Sequence, residues 1–356
     1  MTKKPKLING GNSIVWPEGF SMLILRYLWL IGTVCAMTTL YASTVCPAAQ
    51  PESVTVGYST FSGDYVPLWI GVEERLGRKY GIDLKAVYSG RARPQQLLAG
   101  GEALVVIASG TGALSSHVLG VKDQVIILTF SSKVPGVIVT RPEIKSAEDL
   151  RGKTIGSGRP GALGDIMARY ALRAKLNLVP DRDVKILPIG EPALALQGLE
   201  RGIVDGASFS GPQVAVARKL GFRELVNYEK LGIVYPYNTV TTLRQTIAKS
   251  PELLEKMLKI LYEGRAIFQT NKEKSLAVWK KYLRGTADEV LEEAYQTTMS
   301  TLDASPQPTL AVIKSGLEIL SYQYPQAKQT DPNPIFDASF ARRIEQSGFV
   351  EALYKK

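Results

Sequence analysis

Residues 54–110 alternate short apolar strands with helices, and residues 153–211 do so again. Val54, Val56 and Tyr58 recur at every second position, the period of a strand with one buried face. Pro67 then stands where the first turn of a helix accepts it, and Leu68, Val72 and Leu76 share one helical face. LKAVYS predicts a second strand, PQQLLAGG a short helix and ALVVIAS a third strand. In the later block KTIGS, VKILPI and DGASFS predict strands. DIMARYALRAK and PALALQGLERG predict helices, the second with Pro192 at its start.

The two blocks align with each other. Thr55 and Gly57 pair with Thr154 and Gly156, and Lys85 and Gly90 with Lys185 and Gly190. Gly101, Ser109 and Gly110 pair with Gly202, Ser210 and Gly211, so the offsets are 99, 100 and 101 residues in chain order. Strands that alternate with such helices build mostly parallel sheets with covered faces, and two α/β lobes follow. VIILTFSSKVPGVIVTR (125–141) and LGIVYPYNTVTTLR (231–244) are rich in β-formers and are expected to cross between the lobes. Ser146 to Asp149 has the spacing of a capping box that opens a short helix.

From residue 250 the pattern becomes helical. Ser250-Pro251 opens a helix with Leu254, Met257, Leu258 and Leu261 on one face, and Thr286-x-x-Glu289 predicts a further capping box ahead of Leu291, Ala294 and Tyr295. These tail helices are expected to pack on lobe one, because the second crossover returns the chain there. The expected division is 50–135 with 238–356 for lobe one and its C-terminal helices, and 136–237 for lobe two. Residues 1–49 form a signal peptide with a long polar leader.

That last expectation rests on Arg26, an apolar run of about 14 residues and a small-residue exit, short of the roughly 20 residues a membrane span needs. Cleavage is expected near Ala48 or Ala49, with Met22 as an alternative start. An uncleaved anchor is the alternative. The two cysteines, Cys35 and Cys46, lie in or beside this segment, so the exported chain has no disulfide framework, Cys-type metal site or thiol nucleophile. Lipidation at Cys46 is a further alternative, against which the bulk of Val45 counts. His117 is the only histidine, which excludes a His-rich metal site, and it is expected at a surface or cap. The 356 residues are 45% hydrophobic and 21% charged, a balance that supports two globular lobes. The net charge is +10, but its lysines and arginines are scattered, without a basic stripe, so nucleic acid is not an expected partner.

Open α/β sheets bind ligands beyond the carboxyl ends of their strands. The repeat therefore names the candidate binding loops. In lobe one they offer Ser59, Gly63, Asp64 and Tyr65, then Ser89, Gly90 and Arg91, then Ser109, Gly110 and Thr111. In lobe two they offer Arg159, Gly161, Ala162 and Leu163, then Ser210, Gly211 and Pro212. Glycines allow close backbone approach, and N–H groups at a helix start favour an anion or a polar oxygen. Gly156–Gly161, GSGRPG, also matches a dinucleotide fingerprint, with Glu191 in place for the acidic residue that closes the next strand. An export signal and an equivalent loop at 57–63 favour a ligand-cradling loop instead. The structural alternative is a plain strand-to-helix turn, just as Arg91, Arg93 and Arg159 can be solvated charges and Ser109 and Ser210 plain caps.

PLWIGVEERLGRKYGIDLKAV, QQLLAGGEALVVIASG, IKSAEDLRGKTIGSG, VPDRDVKILPIG, LERGIVDGASFSGP and ARKLGFRELVNY follow one another in order. Together they resemble the nitrate/sulfonate/taurine-type family of periplasmic solute-binding proteins, whose fold is shared with thiamine-precursor binding proteins. The resemblance covers about residues 53–350, including the tail DASFARRIEQSGFV. It implies a two-lobed type II periplasmic-binding fold with two crossover strands at the hinge. It also implies a monomeric, periplasmic, non-enzymatic substrate-binding subunit of an ABC importer, with a membrane permease and an ATPase as partners. The solute is expected to be small, organic and anionic, with no cofactor or metal. RLGRKYG, and Leu104 where an Asp is common, depart from the family pattern. An enzyme of cofactor-precursor synthesis on the same fold, or a membrane-associated solute sensor, are the alternatives.

Overall fold

A computed structural model describes residues 50–89 and 94–355. The expected signal peptide lies outside them. Among the described residues no helix is long and apolar enough to cross a membrane.

Two five-stranded sheets organise the chain. The strands are β1 (Glu52–Tyr58), β2 (Ile82–Tyr88), β3 (Val105–Ala108), β4 (Gln124–Lys133), β5 (Val137–Thr140), β6 (Thr154–Ser157), β7 (Lys185–Pro188), β8 (Gly206–Phe209), β9 (Arg223–Asn227) and β10 (Val234–Leu243). The orders are β2-β1-β3-β10-β4 and β7-β6-β8-β5-β9. In each sheet the first three strands are parallel, and the fourth runs against its neighbours. That reversed strand, β5 or β10, is the one that has just arrived from the other lobe. A chain entering from the opposite side runs against the strands it joins, so the crossovers make two mixed sheets of the same plan.

The first crossover breaks between β4 and β5 at 134–136. The second breaks between β9 and β10, and Val234 already pairs with Lys133 in the first sheet. The chain has therefore rejoined the first sheet by Val234. Tyr235 to Asn238 sit in a register shift of the β10–β4 ladder, a bulged stretch that re-aims side chains.

The Ser146–Asp149 capping box is formed: the Asp149 carboxylate accepts from Ser146 N–H at 2.9 Å, and Ser146 Oγ accepts from Asp149 N–H at 3.3 Å. The expected box at Thr286–Glu289 is not. That helix starts at Asp288 with Ala287 as its cap and no capping side chain. His117 is not a surface residue; it is 3% exposed, with Nδ1 at 3.0 Å from Ala113 O, and burial lowers its pKa.

The tail does more than cover lobe one. Helix 251–270 packs on helix 66–73 in the core that also holds β1, β3 and β4. Helix 310–320, however, joins a second core through Ile313, Leu317 and Leu320, with Leu114 of lobe one and Ile166 and Leu172 of lobe two. The apolar face of this helix is wide enough to serve both lobes, so the tail bridges them.

Candidate functional site

A cavity of about 680 Å³ lies between the two sheets, within the range of small-molecule pockets. The loops after β1, β3, β6, β7 and β8 and both crossovers contribute to its wall. From lobe one Ser59, Asp64, Tyr65, Ser109 and Thr111 line it, and from lobe two Arg159, Gly161, Ala162, Leu163, Ser210, Gly211 and Pro212. Another depression, of about 560 Å³, is bordered by Glu73, Lys280, Lys281, Tyr282 and Arg284. It belongs to lobe one alone and gathers none of the strand-end loops.

Three residues expected at the site do not line the cavity. Gly63 lies under Trp279 and Thr298, Gly110 donates to Pro236 O at 2.8 Å, and Ser89 Oγ donates to Tyr58 O at 3.0 Å. Gly90 and Arg91 lie outside the described residues.

The lobe-one wall is a network of hydroxyls around one carboxylate. Ser59 Oγ and Tyr65 OH are hydrogen-bonded at 2.6 Å. Ser109 Oγ caps Thr111 N–H at 3.2 Å, and Thr111 Oγ1 lies 2.8 Å from Tyr235 OH. Asp64 receives Ser62 Oγ at 2.9 Å and Tyr237 OH at 2.8 Å. Burial raises the Asp64 pKa, while those two bonds oppose the rise. Tyr235, Tyr237 and Asn238 were missed by sequence reasoning. Their signal is YPYN: two tyrosines two apart share one strand face, and Pro236 marks an interrupted ladder.

The lobe-two wall carries the GSGRPG loop. Gly161 has φ +74, which only glycine adopts without strain. Its N–H does not face a ligand; it donates to the buried Asp165 carboxylate at 3.0 Å, which Arg169 Nε also meets at 2.8 Å. Ala162 N–H is bonded to Arg159 O at 2.9 Å. The helix cap is thus partly satisfied from within, and Leu163 and Gly164, which open the helix, line the cavity. Arg159 and Glu191 both act on Tyr88, whose pKa is raised by burial first and then by Glu191, with Arg159 opposing. Among the described residues there is no cluster of three or more His, Cys, Asp or Glu that would hold a metal.

Across the lobes, Arg218 on helix 212–219 meets Glu293 on helix 288–301 at 2.6 Å, and also Glu224 at 2.6 Å. Arg218 and Glu293 are 47% and 40% exposed, so the pair is worth at most about 1 kcal/mol. Glu293→Gln is expected to shift the open–closed balance of the lobes by up to about fivefold. Solution scattering of the empty protein checks it: a slightly larger radius of gyration is the expected result, and an unchanged one removes the pair from the closure.

The chain belongs to the NMT1-like family, whose sequence model matches residues 47–279. A protein of Brucella abortus, named as a candidate binding protein, is 26% identical over 60% of this chain, which spans 66% of that protein's length. The fold is that of solved periplasmic-binding proteins. The alkanesulfonate-binding protein SsuA of Xanthomonas axonopodis, bound to MOPS, superposes with a TM-score of 0.66 at 20% identity, covering 82% of this chain and 100% of that one. The periplasmic nitrate-binding protein NrtA of Synechocystis gives 0.64 at 12% identity over 83% and 88%. The desulfurization enzyme DszB shares the fold too, with 0.63 at 15% identity over 83% and 99%.

Proposed function

We propose that this chain is the substrate-binding subunit of an ABC importer, which captures a small organic solute between its lobes in the periplasm and delivers it to a permease and its ATPase. The cavity carries the reading: both sheets turn their strand-end loops and both crossovers into one ligand-sized space. The names of the fold neighbours, which bind sulfonates and nitrate, agree with it. The hinge is assigned to 130–140 and 234–243, where the chain changes lobe twice. The reading assigns no catalysis. His117 does not line the cavity, and the Ser59, Ser62, Tyr65, Thr111 and Tyr237 hydroxyls there are engaged with other hydroxyls or with Asp64.

The acid group of the solute is assigned to lobe two, at Leu163, Gly164 and Arg159. A charge-assisted bond of this kind is worth about 1.5–3 kcal/mol, so Arg159→Ala is expected to weaken aryl sulfonates and carboxylates roughly 10–100-fold. Calorimetric titration of both proteins with benzenesulfonate and benzoate tests it. Equal affinities would take Arg159 out of the site.

A further inference from the structure

Four tyrosines among the described residues line the cavity: Tyr65, Tyr228, Tyr237 and Tyr324. Three of them have partners for their hydroxyls. Tyr65 OH bonds to Ser59 Oγ, Tyr228 OH lies 2.6 Å from Ser208 Oγ, and Tyr237 OH donates to Asp64 at 2.8 Å. The Tyr324 hydroxyl has no partner among the described residues. Tyr324 is half-buried, and its oxygen is not one of the unpaired atoms sealed inside the protein. It is also the only described lining residue that follows β10 in the chain.

The tail brings this phenol to the cavity on a fixed support. Helix 310–320 stands on the second crossover: Ser315 Oγ donates to Val234 O at 2.7 Å, and a Cβ on Gly316 would come within 2.8 Å of Pro236 Cδ. Past the helix end the chain turns onto lobe two, where Tyr322 meets Tyr170 edge to face with ring centroids 5.3 Å apart. Tyr324 N–H donates to Leu320 O at 2.9 Å, and Tyr324 O accepts from Ala327 N–H at 2.9 Å. Pro325 follows and keeps Tyr324 extended, at φ −124 and ψ 90. Its oxygen then stands 3.5 Å from where a Cβ of Gly161 would be, over the GSGRPG loop. Two donors of that loop are turned away from a solute, since Gly161 N–H goes to Asp165 and Ala162 N–H to Arg159 O. The phenol supplies an O–H donor beside the same loop.

We propose that Tyr324 is a solute-binding residue contributed by the tail, whose phenol donates a hydrogen bond to the acid group of the solute at the GSGRPG loop. This rests on the solute-binding reading above and on the acid end assigned to lobe two. A solute held in this way is bonded to the tail as well as to lobe two, and the tail in turn stands on the crossover.

Tyr324→Phe on the full-length protein tests it, with benzenesulfonate and benzoate as probes. The variant keeps the ring and removes an oxygen that has no protein partner, so the Tm of the empty protein should stay within about 2 °C of wild type. A hydrogen bond to a charged group is lost, and both probes are expected to bind about tenfold more weakly in calorimetric titration. Labelling with 3-fluorotyrosine gives a second readout. The fluorine resonance missing from the variant belongs to Tyr324, and in wild type it is expected to shift when benzenesulfonate is added. Wild-type affinity in Tyr324→Phe, or an unmoved resonance under saturating benzenesulfonate, overturns the proposal and leaves the solute-binding reading intact. Binding of neither probe to wild type also overturns it, and retention of another solute from a mixed pool then separates that result from failure of the wider reading.

Discussion

Gly264→Val is expected to destabilise the protein by about 3 kcal/mol, at the upper end of overpacking costs, with a fall in Tm of about 5 °C. Gly264 lies in helix 251–270 where that helix crosses helix 66–73. A Cβ at this position would stand 2.1 Å from Pro67 O, 2.9 Å from its carbonyl carbon and 3.3 Å from its Cα. These are backbone atoms, so no side-chain rotation relieves the contact, and the two helices must separate. Their interface is fully buried around Val66, Leu68, Trp69 and Ile70 on one side and Leu258, Ile260 and Leu261 on the other. Separation would also move the turn that carries Asp64, so solute binding should weaken along with stability. Thermal unfolding decides it; a Tm within about 2 °C of wild type would show that the helices adjust without cost.

The lobes were legible because their signals are local. Val54, Val56 and Tyr58 report a strand by alternation, Pro67 and Pro192 report helix starts, and the duplication repeats each signal. The loops follow from the strands, and so the positions of Ser59, Ser109, Arg159 and Ser210 at the cavity follow as well. What the local pattern does not carry is the direction in which each group is satisfied. Gly161 N–H is spent on Asp165, four residues along the same turn. Gly63 and Gly110 are glycines because Trp279, Thr298 and Pro236, far away in sequence, press on them. Tyr237 and Asn238 reach the site through a bulge, which depends on the pairing of β10 with β4. The bridging role of helix 310–320 likewise depends on where the two lobes lie, which no periodicity records.

The central claim is that a solute occupies the space between the lobes, and Ala162→Trp is the variant that addresses it. Ala162 lines the cavity as the cap of helix 163–170, in extended conformation at φ −80 and ψ 162, which any residue adopts. Its side chain makes no capping bond, so none is lost. Its backbone bonds to Arg159 O and from Ile166 N–H, at 2.9 and 3.0 Å, do not involve the side chain. Folding stability should therefore change by no more than about 0.5 kcal/mol. An indole at this position takes the volume next to Leu163 and Gly164, where the acid end of the solute is assigned. Forcing a ligand against it costs about 1–3 kcal/mol, or roughly 10–100-fold in affinity. Native mass spectrometry of both proteins, each incubated with one pool of organic acids, amino acids, amino sulfonates and heterocyclic amines and then desalted, is the direct measurement. The expected result is a 1:1 adduct on the wild type that is absent or strongly reduced on Ala162→Trp. The same adduct at the same occupancy on both proteins, or no adduct on the wild type, would contradict the claim.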